Sequence, residues 1–379
     1  MGQRRSYVFL GLTITSTWGN GHATTYRGLL KELAVRGHSV TFLERDVPWY
    51  SSHREFETLP YARLAFYCSL EELRDRFTDT VRQADAVVVG SYVPEGIAVG
   101  RWVRSVAKQV SAFYDIDTPV TLASLHGNRC EYLSSDLIAR YDLYLSFTGG
   151  PILTFIERRL GSPCARPLYC SVDPSLYFPE RHETAWKLAY LGTYAPDRQR
   201  TLDSLLLRVA AQSPEQKFAV AGPQYPEDIQ WPHNVTRIEH LPAAEHRLFY
   251  NSQLFALNVT RCDMVRAGFS PSVRLFESAA CGIPIITDEW PGLSEFFKPY
   301  SEIIPVRSTG EVLRYLQMSN GQRLEIAERA RHRTLRFHTA AVRAAQFENY
   351  VDASLRRLKT SKSREPRSEL TPSAALLEN

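Results

Sequence analysis

Residues 7–43 read YVFLGLTITSTWGNGHATTYRGLLKELAVRGHSVTFL and contain a strand, a helix and a second strand in that order. The apolar run at 7–14 has the length of a buried strand. The segment 23–35 repeats apolar residues at helical spacing and ends before Gly37, and residues 38–43 are again mostly apolar. The pattern predicts a βαβ unit in a parallel sheet that is covered by helices on both faces.

The same alternation continues along the chain and predicts two domains. In the first half it predicts strands at 86–90, 110–114 and 143–147 and helices at 70–84, 97–108 and 152–160. After an irregular, proline-containing stretch it predicts strands at 187–191, 217–221, 235–239, 254–259 and 284–287 and helices at 198–212, 243–252 and 271–281. The sequence therefore predicts an α/β protein in which two Rossmann-like doubly wound domains face each other across a cleft.

Domain boundaries follow from these patterns. The predicted units are an N-terminal domain over 1–167, a linker over 168–186, a C-terminal domain over 187–335, a helix over 336–358 that packs back on the N-terminal domain, and a tail over 359–379. The tail is rich in serine, proline and charge, and we expect it to be disordered.

The composition is typical of a globular protein, and we expect the protein to be cytoplasmic. The chain has 379 residues, of which 44% are hydrophobic and 23% are charged. A net charge of +4 requires no nucleic-acid partner and suits a ligand that carries phosphate. No run approaches the roughly 18 apolar residues of a membrane span, so only peripheral membrane contact stays open. Six scattered cysteines without a CxxC pair indicate reduced thiols.

A glycine-containing turn between the first strand and the first helix is one candidate site. Gly19, Asn20 and Gly21 let backbone N–H groups approach an anion where the helix N-terminus adds positive potential, so the turn predicts a diphosphate site. A tight turn without a ligand is the alternative. His22 follows, and its imidazole would act as general base on an acceptor hydroxyl or would hydrogen-bond the turn.

Two carboxylates follow the strand at 110–114. Asp115 and Asp117 lie at its carboxyl end, where they could orient His22, bind acceptor hydroxyls or cap the next turn. An Asp-x-Asp pair also occurs in metal-dependent transferases. Because the sequence shows no further cluster of ligands, we predict no metal.

In the second half, the stretch LGTYAPDRQR at 191–200 again joins a strand to a helix. It places Thr193 in the turn and Arg198 in the first turns of the helix, where a guanidinium can bind phosphate oxygens. A solvated helix face is the alternative for Arg198.

The stretch SPSVRLFESAACGIPIITD at 270–288 contains the other motif of this half. Ser272 lies at the start of the predicted helix, and Arg274 and Glu277 lie one helical turn apart. A guanidinium and a carboxylate on one helix face suit a diphosphate and a ribose. Alternatively, the two side chains would form an ion pair with each other. The apolar surroundings of Glu277 imply a buried partner for its carboxylate.

These motifs resemble those of the CgeB-like bacterial glycosyltransferases, relatives of the retaining GT-B family that carries a glutamate on an EAxACGxP helix. The resemblance covers nearly the whole chain and includes the stretches WGNGHATTYRGLLKELAVRGHSVTFLERD, FYDIDTPVT, SFTGGP, YCSVDPSLYFP, YLGTYAPDRQ, SPSVRLFESAACGIPIITD and HTAAVRAAQF. It implies a GT-B fold, with the nucleotide-sugar donor bound mainly by the C-terminal domain and the acceptor by the N-terminal domain.

The resemblance also implies roles for individual residues. Glu277 would hold the donor ribose hydroxyls, and Arg198 would take the place of the family's diphosphate-binding lysine. The two glycines of the first turn would approach the phosphates. The backbone near His240 and Leu241 would meet the nucleobase.

Two positions depart from the larger family. Phe269 stands where that family has its first glutamate, and Thr193 stands where an arginine usually follows the strand glycine. The anomeric outcome therefore stays open. The GNGH turn also resembles the GH turn of inverting antibiotic- and plant-type glycosyltransferases, in which the histidine deprotonates the acceptor, a role that His22 would take.

Together the motifs predict a metal-independent glycosyltransferase without a cofactor. Its donor would be a nucleotide-diphosphate sugar based on UDP, dTDP or GDP, and Arg198 and Arg274 would stabilise the departing diphosphate. The acceptor, whether small molecule, polysaccharide or glycolipid, and the oligomeric state stay open. The alternatives are a nucleotide-sugar 2-epimerase and a non-enzymatic CgeB-like protein of spore or surface assembly. A dinucleotide oxidoreductase ranks last, because GNGH lacks the three-glycine fingerprint.

Overall fold

In the computed structural model, residues 3–18 and 20–364 are described, the last four by their backbone alone. The strands of the first half are β1 (Ser6–Gly11), β2 (Ser39–Arg45), β3 (Arg63–Tyr67), β4 (Ala86–Gly90), β5 (Val110–Asp115), β6 (Leu143–Ser146) and β7 (Ala165–Pro167). Its helices are α1 (Ala23–Val35), α2 (Pro48–Ser51), α3 (Leu70–Gln83), α4 (Gly96–Val106), α5 (Thr118–His126), α6 (Ser135–Arg140) and α7 (Pro151–Leu160). The strands form a parallel sheet in the order β3-β2-β1-β4-β5-β6-β7.

The second half repeats this arrangement. Its strands are β8 (Trp186–Leu191), β9 (Phe218–Ala221), β10 (Val235–Ile238), β11 (Gln253–Asn258), β12 (Ile285–Asp288) and β13 (Ile304–Val306). Its helices are α8 (Pro196–Leu202), α9 (Arg208–Ala211), α10 (His246–Asn251), α11 (Cys262–Ala267), α12 (Val273–Ala280), α13 (Leu293–Phe296), α14 (Thr309–Leu316), α15 (Asn320–Phe337) and α16 (Ala340–Arg364). The parallel sheet has the order β10-β9-β8-β11-β12-β13, which confirms the predicted α/β fold with two Rossmann-like domains.

Strand β1 shows why the first sheet is buried on both faces. Tyr7 and Phe9 lie in a core cluster with apolar residues of α1 and α16, whereas Val8 and Leu10 lie in the cluster formed with α3 and α4. Successive side chains of a strand point to opposite faces, so an uninterrupted apolar run needs cover on both sides.

The C-terminal helices differ from the predicted ones. The helix predicted over 336–358 begins only at Ala340, because the chain breaks at His338, whose carbonyl oxygen accepts from Val172 N at 3.1 Å. The ring of His338 stacks on Phe276, with centroids 4.5 Å apart. Helix α16 then packs on α1, and Phe347 contacts the ring of Tyr7 at 5.2 Å. The break therefore lets the chain cross from one domain to the other.

The predicted disordered tail starts too early. Helix α16 continues through Arg364, so its last turns include residues 359–364, and residues 365–379 lie outside the described residues. Among the residues that the structure describes, no helix is long and apolar enough to cross a bilayer.

Candidate active site

A cavity of about 590 Å³ lies between the domains, where the carboxyl ends of β1, β5, β8 and β11 meet. Most of the predicted site residues line it: Asn20, Gly21, His22, Asp117, Thr193, Arg198, His240, Leu241, Ser272, Arg274 and Glu277. Gly19 lies outside the described residues, and Asp115 does not line the cavity. Strand-end residues of two parallel sheets thus meet in one cleft, as expected for doubly wound domains.

Asn20 organises the turn that leads into α1. Its Nδ2 donates to the carbonyl oxygen of Thr13 at 3.2 Å, and its Oδ1 accepts from the backbone N–H of His22 at 3.2 Å. Burial lowers the pKa of His22; the Asp117 carboxylate opposes this effect and the Arg261 guanidinium adds to it. The neutral imidazole is therefore favoured near pH 7 and can accept a proton.

Asp117 forms an ion pair across the cleft with a residue that the sequence did not single out. Its Oδ2 accepts from Tyr92 Oη at 2.8 Å and from Arg261 Nη1 at 3.1 Å. Its Oδ1 is buried without a hydrogen-bond partner. Arg261 belongs to the C-terminal domain and follows β11. Its position directly after an apolar strand was the sequence signal that could have marked it as a cleft residue.

Asp115, which the sequence predicts as a catalytic residue, is buried and does not line the cavity. Its carboxylate is fully buried and accepts from Tyr144 Oη at 2.5 Å, Thr121 Oγ1 at 2.8 Å and the backbone N–H of Asp117 at 3.2 Å. Burial raises the pKa of Asp115 to about 6, although these hydrogen bonds act to lower it. Asp115 therefore fixes the turn between β5 and α5 that presents Asp117 to the cavity.

Arg198 and Arg274 face the cavity from α8 and α12. Arg198 Nη2 donates to the carbonyl oxygen of Thr193, and its Nε is buried without a partner. Arg274 Nε donates to the carbonyl at the end of β8 at 2.8 Å, and its Nη1 to Asn258 Oδ1 at 3.1 Å. Among the described residues, neither guanidinium has a carboxylate partner. Burial lowers the pKa of Arg198, and the nearby Arg274 and Arg261 lower it further, so this wall carries uncompensated positive charge.

Glu277 lies one turn after Arg274 on α12 and is 3% exposed. Its Oε2 accepts from Tyr250 Oη at 3.1 Å, and its Oε1 accepts from Thr24 Oγ1 of the other domain at 3.5 Å. The predicted buried partner is thus Tyr250. The alternative of an ion pair with Arg274 is wrong, because both side chains bind other groups.

The amino end of α12 also faces the cavity. Ser270, Ser272 and Val273 line it, and the side chain of Ser272 makes no capping hydrogen bond. The first N–H groups of a helix have no partner within the helix and carry partial positive charge. This end of α12 is therefore suited to an anion.

Phe269 packs beside the cavity rather than lining it. It has a φ of 50°, and its backbone N–H donates to Pro291 O at 2.7 Å. Its ring covers Gly150 and Gly292, where an added Cβ would lie 2.4 and 2.5 Å from ring atoms. Its carbonyl oxygen accepts from Gly149 N at 2.9 Å. Phe269 thus joins the two domains, and the position of the family's first glutamate is used for packing.

His240 and Leu241 follow β10 and line the cavity. The His240 ring lies 4.6 Å from Trp18 of the N-terminal domain, which stacks on His53 at 4.3 Å. Leu241 O accepts from His246 Nε2 at 3.2 Å. Aromatic side chains from both domains therefore meet beside the position predicted for the nucleobase.

Part of the sequence and the overall fold are similar to those of known proteins. Residues 198–349 match the family model described as "Glycosyl transferase-like". The fold is similar to that of a sucrose-phosphate synthase from Thermosynechococcus elongatus, with a TM-score of 0.66 and 14% identity over 94% of this chain and 100% of that one. No curated protein sequence matches the chain significantly.

Two further similar structures hold nucleotides. The Anabaena HepE protein, in complex with UDP and glucose, gives a TM-score of 0.67 and 11% identity over 92% of this chain and 100% of that one. An alpha-glucosyltransferase in complex with UDP gives 0.67 and 12% over the same shares. Part of the chain, residues 198–349, is thus similar to a glycosyltransferase-like family, and the fold of the whole chain is similar to that of GT-B glycosyltransferases.

Proposed function

We propose that the protein is a metal-independent, CgeB-like glycosyltransferase that takes a sugar from a UDP-sugar or a related nucleotide sugar. The observation that carries this proposal is the positive wall formed by Arg198, Arg274 and the amino end of α12, which lacks a carboxylate partner among the described residues. A diphosphate would neutralise this charge through bidentate hydrogen bonds. UDP is the first candidate because similar structures hold it.

In this proposal the donor lies against the C-terminal domain. The Glu277 carboxylate, held by Tyr250, would accept hydrogen bonds from the ribose hydroxyls. The backbone near His240 and Leu241 would meet the base. Arg198 and Arg274 would stabilise the negative charge that develops on the departing diphosphate. In other transferases a metal ion provides this stabilisation.

The acceptor would enter from the N-terminal domain. His22 is favoured in its neutral form, so it can take the proton of an attacking hydroxyl. The unpartnered Oδ1 of Asp117 would accept a hydrogen bond from the same acceptor. All six cysteines are unpaired, which suits a reducing compartment, and we propose the cytoplasm.

A thermal-shift screen with UDP, GDP and dTDP tests the donor assignment. A ligand at 100 times its Kd stabilises the folded state by about 2.7 kcal/mol, so the true nucleotide should raise the Tm measurably. The matched uncharged nucleoside should raise it less. If none of the three diphosphates changes the Tm, the proposed function is wrong.

Two incubations test the reaction. Consumption of the intact donor without any acceptor, with formation of an epimerised product, would favour a 2-epimerase over a transferase. Transfer should also persist in excess EDTA, because arginines supply the positive charge. Loss of transfer in EDTA that returns with Mg²⁺ or Mn²⁺ would contradict metal independence.

A further inference from the structure

Arg261 is the guanidinium of the cavity for which the proposed function names no role. It follows Thr260, whose backbone N–H and Oγ1 donate to Asp288 Oδ1 at 3.0 and 2.9 Å. This anchor fixes the backbone at the end of β11, so that the Arg261 side chain reaches into the cleft. The residue is therefore positioned by the sheet rather than by a surface loop.

The guanidinium of Arg261 is only partly satisfied. Its Nη1 donates to Asp117 Oδ2 at 3.1 Å, its Nε lies 4.0 Å from Asp197 Oδ2, and that Nε is buried without a hydrogen-bond partner. Asp197 is already engaged, since its Oδ2 accepts from the backbone N–H of Cys262 at 2.8 Å. Asp117 is thus the main partner of Arg261.

The partner is unsatisfied as well. The Asp117 side chain is 6% exposed, and its Oδ1 has no hydrogen-bond partner. Leaving such an oxygen buried and unpaired costs free energy. Both members of the cross-cleft pair therefore retain capacity for a further ligand, on opposite sides of the cavity.

Arg261 also lies within electrostatic reach of the predicted diphosphate site. Arg198, Arg261 and Arg274 line the same cavity, and Arg274 Nη1 donates to the carbonyl oxygen of Val259, two residues before Arg261, at 3.2 Å. The positive charges of Arg261 and Arg274 both disfavour the charged form of Arg198 and lower its pKa. An anion bound by Arg198 and Arg274 would attract Arg261 in turn. The same guanidinium would then have two competing partners, the Asp117 carboxylate and the diphosphate.

We propose that Arg261 exchanges partners during the reaction cycle. In the free protein it pairs with Asp117, and in the donor complex it binds the diphosphate, which releases Asp117 Oδ2 toward the acceptor hydroxyl. Donor binding would thereby prepare the acceptor side of the cleft. This inference rests on the proposed function and adds a donor-binding residue and an order of events to it.

The test is a double-mutant cycle with Arg261→Gln and Asp117→Asn, measured by calorimetry with whichever of UDP, GDP and dTDP binds most tightly, and with its nucleoside. Arg261→Gln should weaken diphosphate binding by roughly ten- to a hundredfold, the range for losing a hydrogen bond to a charged group. Asp117→Asn should strengthen it by about two- to fivefold, because a competing, partly exposed ion pair is lost. In the Arg261→Gln background this gain should disappear, and nucleoside affinity should stay unchanged throughout.

Arg266→Gln is the matched control, because Arg266 is an exposed arginine of the neighbouring helix α11 that pairs with Asp263. It should leave both affinities unchanged. If Arg261→Gln weakens nucleoside and diphosphate binding equally, Arg261 has a structural role and the inference is overturned. The inference is also overturned if Asp117→Asn still strengthens diphosphate binding in the Arg261→Gln background. A wild-type protein that binds none of the three diphosphates refutes the proposed function instead, and this inference with it.

Discussion

Replacing Arg198 by methionine should separate catalysis from stability. The change removes one hydrogen bond, from Nη2 to the carbonyl oxygen of Thr193, which is worth about 1.5–3 kcal/mol. It also removes a buried Nε without a partner, whose burial costs about 1–3 kcal/mol, and it relieves repulsion from Arg274 and Arg261. The two effects nearly cancel, so the free energy of unfolding should change by no more than about 1–2 kcal/mol.

The effect on transfer should be much larger. If the guanidinium stabilises charge on the departing diphosphate, its loss should lower kcat by about a hundred- to a thousandfold, the range seen when one such donor is removed. Urea unfolding and steady-state kinetics measure the two quantities, and Arg198→Lys should recover part of the activity. Arg200→Met is the control, because Arg200 is exposed on the same helix and does not line the cavity. An unchanged kcat, or a loss of stability above about 3 kcal/mol as in a broken buried ion pair, would refute the reasoning.

Three further changes test separate parts of the structure. Glu277→Gln should weaken nucleoside binding by about five- to tenfold, since a neutral amide is a poorer acceptor than a carboxylate, and unchanged affinity in calorimetry would remove its ribose role. Gly192→Ala would place a Cβ 2.6 Å from Arg274 Nη2 and should weaken diphosphate binding by roughly tenfold or more, whereas Gly310→Ala, with no atom within 4 Å of its new Cβ, should not. Burial raises the pKa of Asp115 from 3.8 to about 6, so the folded state holds this proton between those values while the unfolded state has released it. The contribution of Asp115 to stability therefore falls as pH rises through this window, and Asp115→Asn should make unfolding less pH-dependent between pH 4 and 6; an unaltered pH profile would contradict the shift.

Several elements were predictable because local pattern and tertiary burial agree. Helix α1 was predicted with its observed bounds, since its apolar face packs on the sheet and Gly37 follows it with a φ of +94°. Strand β4 was likewise predicted with its observed bounds, because every residue in it is buried. Edge strands β3, β7 and β13 were missed, the first because its residues are largely half-exposed and the other two because each has only three residues.

The helix break at His338 shows what local pattern does not contain. Residues before and after it have good helical periodicity, and nothing nearby in sequence requires an interruption. The cause is Val172, more than 160 positions earlier, whose backbone pairs with both sides of the break. A contact at that separation is decided by the packing of the two domains.

The sequence by itself determined the two-domain α/β fold and the helical positions of Arg198, Arg274 and Glu277, because apolar periodicity and the order of strands and helices are local properties. Only the tertiary structure decided that Asp117 faces the cleft while Asp115 lies behind it, that Tyr250 rather than Arg274 holds Glu277, and that Arg261 reaches across to the other domain. The direction of a side chain depends on what is packed around it. In this protein those contacts come from residues 27 to 144 positions away in the chain.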